Sequence, residues 1–155
     1  MSTPNRWLMI GAILSGLSVA AGAFGAHGLD RYFHQKYENE VYVKNVTIDG
    51  EARVVSRLPL AQKYLADFKT GAEYQMYHGL ALLAVGLLAR IRPSRGLTIA
   101  GVSFVLGCLG FSGGLYAYTL TGATWFGMTI VPAGGVCFLI GWVALAWAVS
   151  RRSEP

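Results

Sequence analysis

Charge is what this chain has least of: Asp, Glu, Lys and Arg together supply 14% of its 155 residues, against 54% hydrophobic residues. Mean hydropathy is +0.43. A soluble domain of this length needs far more polar surface than that, so an ordinary water-facing globule is excluded and the bilayer is taken as the solvent. Cysteine is nearly missing as well. Cys108 and Cys137 are the only two, which rules out a disulfide framework and leaves small apolar packing as their expected role. Catalytic signatures are absent too: there is no CxxC, HExxH, GxSxG or Walker loop, and no GxGxxG in a helical setting. No catalytic residue, metal or cofactor is therefore assigned. The net charge of +5 reflects orientation and anionic lipid, and with no RNA or DNA module in view no nucleic-acid partner is expected.

Long apolar runs are plentiful. A helix needs roughly 20 mainly apolar residues to cross a bilayer, and four stretches qualify: 7–29, 73–91, 97–120 and 126–149. The second is the weakest, since its uninterrupted apolar part is only Leu80 to Ala89 behind the polar entrance "EYQMYHG". It is still read as a span, because "LALLAVGLLA" is too apolar for a surface helix. The runs lack period-2 alternation, so helices are expected rather than a β-barrel. Arg6 and the small residues of "SVAAGA" also suit a signal peptide, but the run exceeds a signal h-region and the segment is read as a retained first span.

Arg6, the turn "RIRPSRG" and the tail Arg151 and Arg152 fall on one side of such a bundle, whereas "TGATWFG" has no Lys or Arg. The segment 30–72 nearly balances its seven basic residues with six acidic ones. The positive-inside rule then places both termini in the cytoplasm of a cell (inner) membrane protein. Trp7, Trp142 and Trp147 would form one aromatic belt, and Tyr74, Tyr77, Tyr116, Tyr118 and Trp125 the other.

Segment 30–72 carries soluble-style signals. "VYVKNVTIDGEARVV" alternates around Asp49-Gly50, a strong hairpin pattern. After Pro59, Leu60, Tyr64, Phe68 and Ala72 recur four apart, which predicts an interfacial amphipathic helix leading into span two. The expected fold is thus an all-α membrane protein, a four-transmembrane-helix bundle, with an extracytoplasmic lid (β-hairpin plus amphipathic helix) between helices 1 and 2.

Small residues recur every fourth position in the first run: Gly11, Ser15 and Val19; Ala12, Gly16 and Ala20; Ser18, Gly22 and Ala26. Gly110 and Gly114 form GxxxG in the third. Such rows let helix backbones approach closely, either within the chain or in a homo-oligomer seam.

"GAFGAHGL", "FKTGAEYQMYHGLALLAVGLL", "FSGGLYAYTLTG" and "TIVPAGGVCFLIGWVALAW" together resemble the domain of unknown function 423 family, also called transmembrane protein 256-like, of small four-span membrane proteins. The likeness covers all four predicted helices. It implies the fold and a membrane location, and it implies no activity, because the family's function is not established. Members have a shorter connection between helices 1 and 2, so residues 31–58 are expected to be an insertion.

Depth arithmetic at 1.5 Å per residue suggests which polar side chains meet. Counted from the cytoplasmic helix ends, His27 lies about 30 Å up, Glu73 about 27 Å and Tyr116 about 28 Å. His78 and Ser112 come out lower, at about 20 and 22 Å. The expected polar site comprises His27, Glu73, Gln75, Tyr77, His78, Ser112 and Tyr116, with His27, Glu73 and Tyr116 sharing one layer and Glu73, Gln75 and His78 forming a polar entrance. Two functional readings follow. The preferred one is a non-catalytic accessory protein whose polar layer locks the bundle and which binds membrane lipid, a second copy of itself or a membrane-protein partner. The alternative is a small oligomeric proton-coupled transporter or channel using Glu73 with His27 or His78. No acidic residue lies at mid-span, where a coupling carboxylate belongs.

Overall fold

The computed structural model describes residues 3–150; Arg151 and Arg152, used in the orientation argument, lie outside the described residues. In chain order the elements are α1 (Thr3–Lys36), β1 (Val41–Ile48), β2 (Glu51–Pro59), α2 (Leu60–Ile91), α3 (Arg95–Gly107), a π-helical turn (Cys108–Ser112), α4 (Gly113–Thr121), a second π-helical turn (Phe126–Ile130) and α5 (Val131–Ser150). Three helices are long and apolar enough to cross a membrane: Thr3–Lys36, Arg95–Thr121 and Phe126–Ser150. The second helix is not among them, since Tyr74, Gln75, Tyr77 and His78 precede an uninterrupted apolar stretch of only Leu80 to Ala89, with Arg90 behind it.

The expected helix boundaries need two corrections. The first helix runs on past Leu29 to Lys36, because Leu29 and Phe33 bury against the second helix and Tyr37 joins their cluster. The amphipathic helix and the second span are one continuous helix. Its buried positions Ala61, Tyr64, Phe68, Gly71, Gln75, His78, Leu82, Val85 and Ala89 keep three- and four-residue spacing from end to end, so nothing interrupts it.

Helix ends follow local chemistry. Pro93 closes the route out of α2, and Ser94 starts α3 by accepting a 3.3 Å hydrogen bond from the Leu97 N–H. Gly122, at φ 76°, provides the left-handed cap that ends α4. The hairpin turns at Asp49 and Gly50, with φ of 53° and 81°, as an Asp-Gly type I′ turn requires. β1 and β2 pair antiparallel with a bulge between Lys44 and Asn45, and the Leu60 N–H closes the base on the Glu40 carbonyl at 2.9 Å. The ribbon meets α2 near that base. Val41, Val43, Val46, Val54 and Val55 stay exposed along it.

Two antiparallel helix pairs make the core. α1 lies along α2, with Gly11 facing the Gly79 carbonyl and Gly86 facing Leu8. α3 and α4 lie along α5 and are closer still: a Cβ on Gly134 would sit 2.1 Å from the Phe111 nitrogen. Gly110 and Gly114, the predicted GxxxG pair, both face α5. Of the rows on α1, Gly11, Ser15 and Ser18 serve the seam with α2, whereas Ala12, Gly16 and Ala20 point outward. Trp7 corrects the belt expectation: it is buried beneath Gly101 in the main core with Leu82, Val85 and Phe104. The outer surface remains apolar on every long helix, as Leu17, Leu87, Leu109 and Leu139 illustrate.

Candidate functional site

Polar side chains in an apolar bundle matter only through their partners, because an unpaired polar group there is costly. Along the α1–α2 seam the Ser18 hydroxyl donates to the Ala72 carbonyl at 2.7 Å. One helical turn on, Gln75 Nε2 donates to the Leu14 carbonyl at 2.9 Å, and Gln75 Oε1 accepts from the Tyr116 hydroxyl at 3.1 Å. A buried glutamine thereby ties three helices, α1, α2 and α4, into one polar seam.

His78 forms a second node, buried between α2, α3 and α5. Its Nδ1 lies 2.7 Å from the Tyr74 carbonyl, which can only accept, so Nδ1 carries the hydrogen. Nε2 then accepts from the Trp142 indole N–H at 3.2 Å. The ring stacks on Phe138, 3.4 Å between centroids and 6° from parallel. The neutral imidazole uses both nitrogens. A groove of about 390 Å³ opens beside it, between Tyr74, Tyr77, Gly135, Leu139 and Trp142.

The third node sits at the hairpin end of the bundle. Phe33, Tyr37, Tyr64 and Phe68 bury against one another, with Tyr116 and Tyr118 packed on them. Lys63 crosses this aromatic surface, bonded to the Asp67 carboxylate and to the Tyr118 hydroxyl at 3.3 Å. Its ammonium lies 4.9 Å from the ring centroid of Tyr42 and 5.0 Å from that of Tyr118. Burial works against its charge, but Asp67 and Tyr118 more than offset this and hold the amine above its ordinary pKa. Burial first, and then Tyr118, push the Tyr64 phenol up.

The expected polar layer is not assembled. His27 and Glu73 are both exposed and, among the described residues, neither takes part in a hydrogen bond or an ion pair. Glu73 instead lines an open groove of about 270 Å³ with Ser18, Gly22, Lys69 and Tyr77, and Tyr77 is exposed. Tyr116 does reach a polar partner, but that partner is Gln75. Ser112 is fully buried within the first π-helical turn, and its hydroxyl has no partner among the described residues. Its carbonyl faces Gly71 rather than His78, which lies instead against Phe104. The depth arithmetic took all helices as starting from one plane. The seven residues from Gly71 to His78 are about 10 Å of helix, which is the size of the error. Among the described residues no three His, Cys, Asp or Glu side chains converge on a metal position.

Residues 21–135 match the family described as Protein of unknown function (DUF423). The chain belongs to the DUF423 family. It is 34% identical over 145 residues to a UPF0382 membrane protein of Staphylococcus epidermidis, an alignment covering 94% of this chain and 95% of that one. It is likewise 34% identical to the UPF0382 membrane protein YwdK of Bacillus subtilis over 146 residues, 94% of this chain and 96% of the relative. The same identity holds to a UPF0382 membrane protein of Haemophilus influenzae over 143 residues, 92% of each chain. No solved structure matches.

In this DUF423 chain the matched span holds Gln75, His78 and Tyr116, whereas Leu14, Ser18 and Trp142 lie outside it. Ser18, Lys63, Asp67 and Trp142 are polar-site members that sequence reasoning missed. The signal for Lys63 was partial: it lies in the amphipathic stretch read from the sequence, but the rings nearest it, Tyr42 and Tyr118, come from other elements. Trp142 gave none, since its indole is an ordinary membrane-boundary residue until its neighbour across the groove is known.

Proposed function

We propose that this membrane protein crosses the inner membrane four times, α2 included, with both termini and Arg90 to Arg95 on the cytoplasmic side. In this reading it is a non-catalytic accessory protein that binds lipid. The observation that carries the reading is the state of the interior polar groups. His78 spends both ring nitrogens on Tyr74 and Trp142, and Gln75 spends both ends of its amide on Leu14 and Tyr116. Groups committed this way fix helix order and leave no proton to relay. The transporter alternative needs Glu73 coupled to His27 or His78, and Glu73 sits apart from both, facing outward. The groove beside His78, lined mainly by apolar and aromatic side chains, suits lipid chains.

The test is purification in mild detergent followed by native mass spectrometry, together with reconstitution into vesicles carrying a pH-sensitive dye. Retained phospholipid and no proton flux above protein-free vesicles are expected. Flux that disappears in Glu73→Gln would establish the transporter instead. A labelling reporter at Gly50 should react only from outside the cell.

A further inference from the structure

The Lys63 node borders a cavity of about 420 Å³, between the hairpin base, the first turns of α2 and the turn joining α4 to α5. Nothing in the interior network uses it. Its wall carries Lys63, Asp67, Tyr42, Tyr118 and Thr124, and Leu115 and Met128 line it as well. The unspent bonding capacity there is specific. An ammonium has three N–H donors, and Lys63 commits two, to Asp67 and Tyr118. Tyr118 accepts from Lys63 and keeps its own O–H to give, Thr124 adds another hydroxyl, and the Asp67 carboxylate retains acceptor sites.

Three donors beside one carboxylate match a ligand with an anionic group and a cationic N–H group close together. A simple anion would meet Asp67 as a like charge. A zwitterion leaves the Lys63–Asp67 pair and itself without uncompensated charge. Location adds a second constraint: the apolar helix Arg95–Thr121 ends and the last one begins at Phe126, so Thr124 lies at the level where a bilayer's headgroups begin. Below it Leu120, Trp125 and Met128 are exposed, an apolar path for acyl chains.

We infer that this cavity holds the headgroup of a membrane phospholipid bearing a primary ammonium, its phosphate on Lys63, Tyr118 and Thr124 and its ammonium on Asp67. This assignment rests on the lipid-binding reading above and narrows it to one site and one lipid class. A quaternary ammonium has no N–H to give Asp67, so choline lipids bind less well.

The full-length protein is titrated in detergent with short-chain ethanolamine, choline and glycerol phospholipids and with soluble phosphoethanolamine, read by native mass spectrometry. The ethanolamine lipid should bind about tenfold tighter than the choline lipid, the worth of one charge-assisted hydrogen bond. Asp67→Asn should abolish that preference, and Lys63→Met should weaken all three lipids. Tyr118→Phe and Thr124→Val leave the ion pair intact and carry the test should Lys63→Met fail to fold; each should weaken the ethanolamine lipid severalfold. Equal affinities across headgroups, or lipid retention unchanged in these variants, would overturn the site while sparing the lipid-binding reading. Wild type retaining no lipid would overturn both. Phosphoethanolamine binding as tightly as the lipid would assign the cavity to a soluble ligand and overturn the membrane source.

Discussion

Trp142 donates its indole N–H to Nε2 of His78 across 3.2 Å, which ties α5 to α2 through the one ring nitrogen that the Tyr74 carbonyl leaves free. The bond requires the Nδ1–H tautomer, since an Nε2–H would oppose one donor with another. Nitrogen NMR of the labelled protein should therefore show His78 neutral and protonated at Nδ1. Trp142→Phe should cost about 0.5 to 1.5 kcal/mol in detergent, the net worth of a neutral hydrogen bond. An Nε2–H signal in wild type would reject this geometry.

Close backbone approach is concentrated at identifiable glycines. Gly134→Ala puts a methyl group 2.1 Å from the Phe111 nitrogen, and helix backbone cannot yield as a side chain can. Loss of about 1 to 3 kcal/mol or failure to fold is expected. Gly16→Ala meets nothing within 4 Å and should be neutral or slightly stabilising. Thermal unfolding of the two variants side by side checks the contrast, and equal melting points would contradict it.

His27 and Glu73 are exposed and share no contact, so they should act independently. His27→Ala and Glu73→Gln should each shift stability little, and the double mutant should equal their sum within about 0.5 kcal/mol. A larger interaction energy would restore the polar layer read from helix depth.

Alkali should loosen the far end of the bundle first. Lys63 and Tyr64 both hold their protons above their ordinary values of 10.5 and 10.0, so above pH 10 the folded chain binds more protons than the unfolded one. That stabilisation is fully present below pH 10 and is lost as pH rises through the folded values. Tyr64→Phe should flatten the decline in melting temperature between about pH 9.5 and about pH 11. An unchanged slope would show that Tyr64 ionises as freely as in the unfolded chain.

Much of this architecture was legible in the chain, because its signals are local. Three apolar runs long enough to span a bilayer and the Asp49-Gly50 turn each depend on a few adjacent residues and on period alone. The period of α2 was legible too. Its continuity was not, since whether Lys69 to Glu73 bends away or carries on depends on Gly71 seating against Tyr116 and Leu115. Tertiary structure alone decided which polar residues meet. Counting from the helix ends put His27 and Glu73 level with Tyr116, yet Ser18 meets Ala72 and Gly25 meets Phe68, which leaves His27 about 13 Å beyond the level of Glu73. A helix also presents a new direction with every residue. Gln75, two residues from Glu73, turns inward to Leu14 and Tyr116 while Glu73 turns outward. Sequence determined the elements and the solvent they face, because apolar length and turn chemistry act locally. The rotation and offset of one helix against another came from glycine-to-glycine packing between segments far apart in the chain, and that rotation chose Gln75, His78 and Lys63 as the polar nodes.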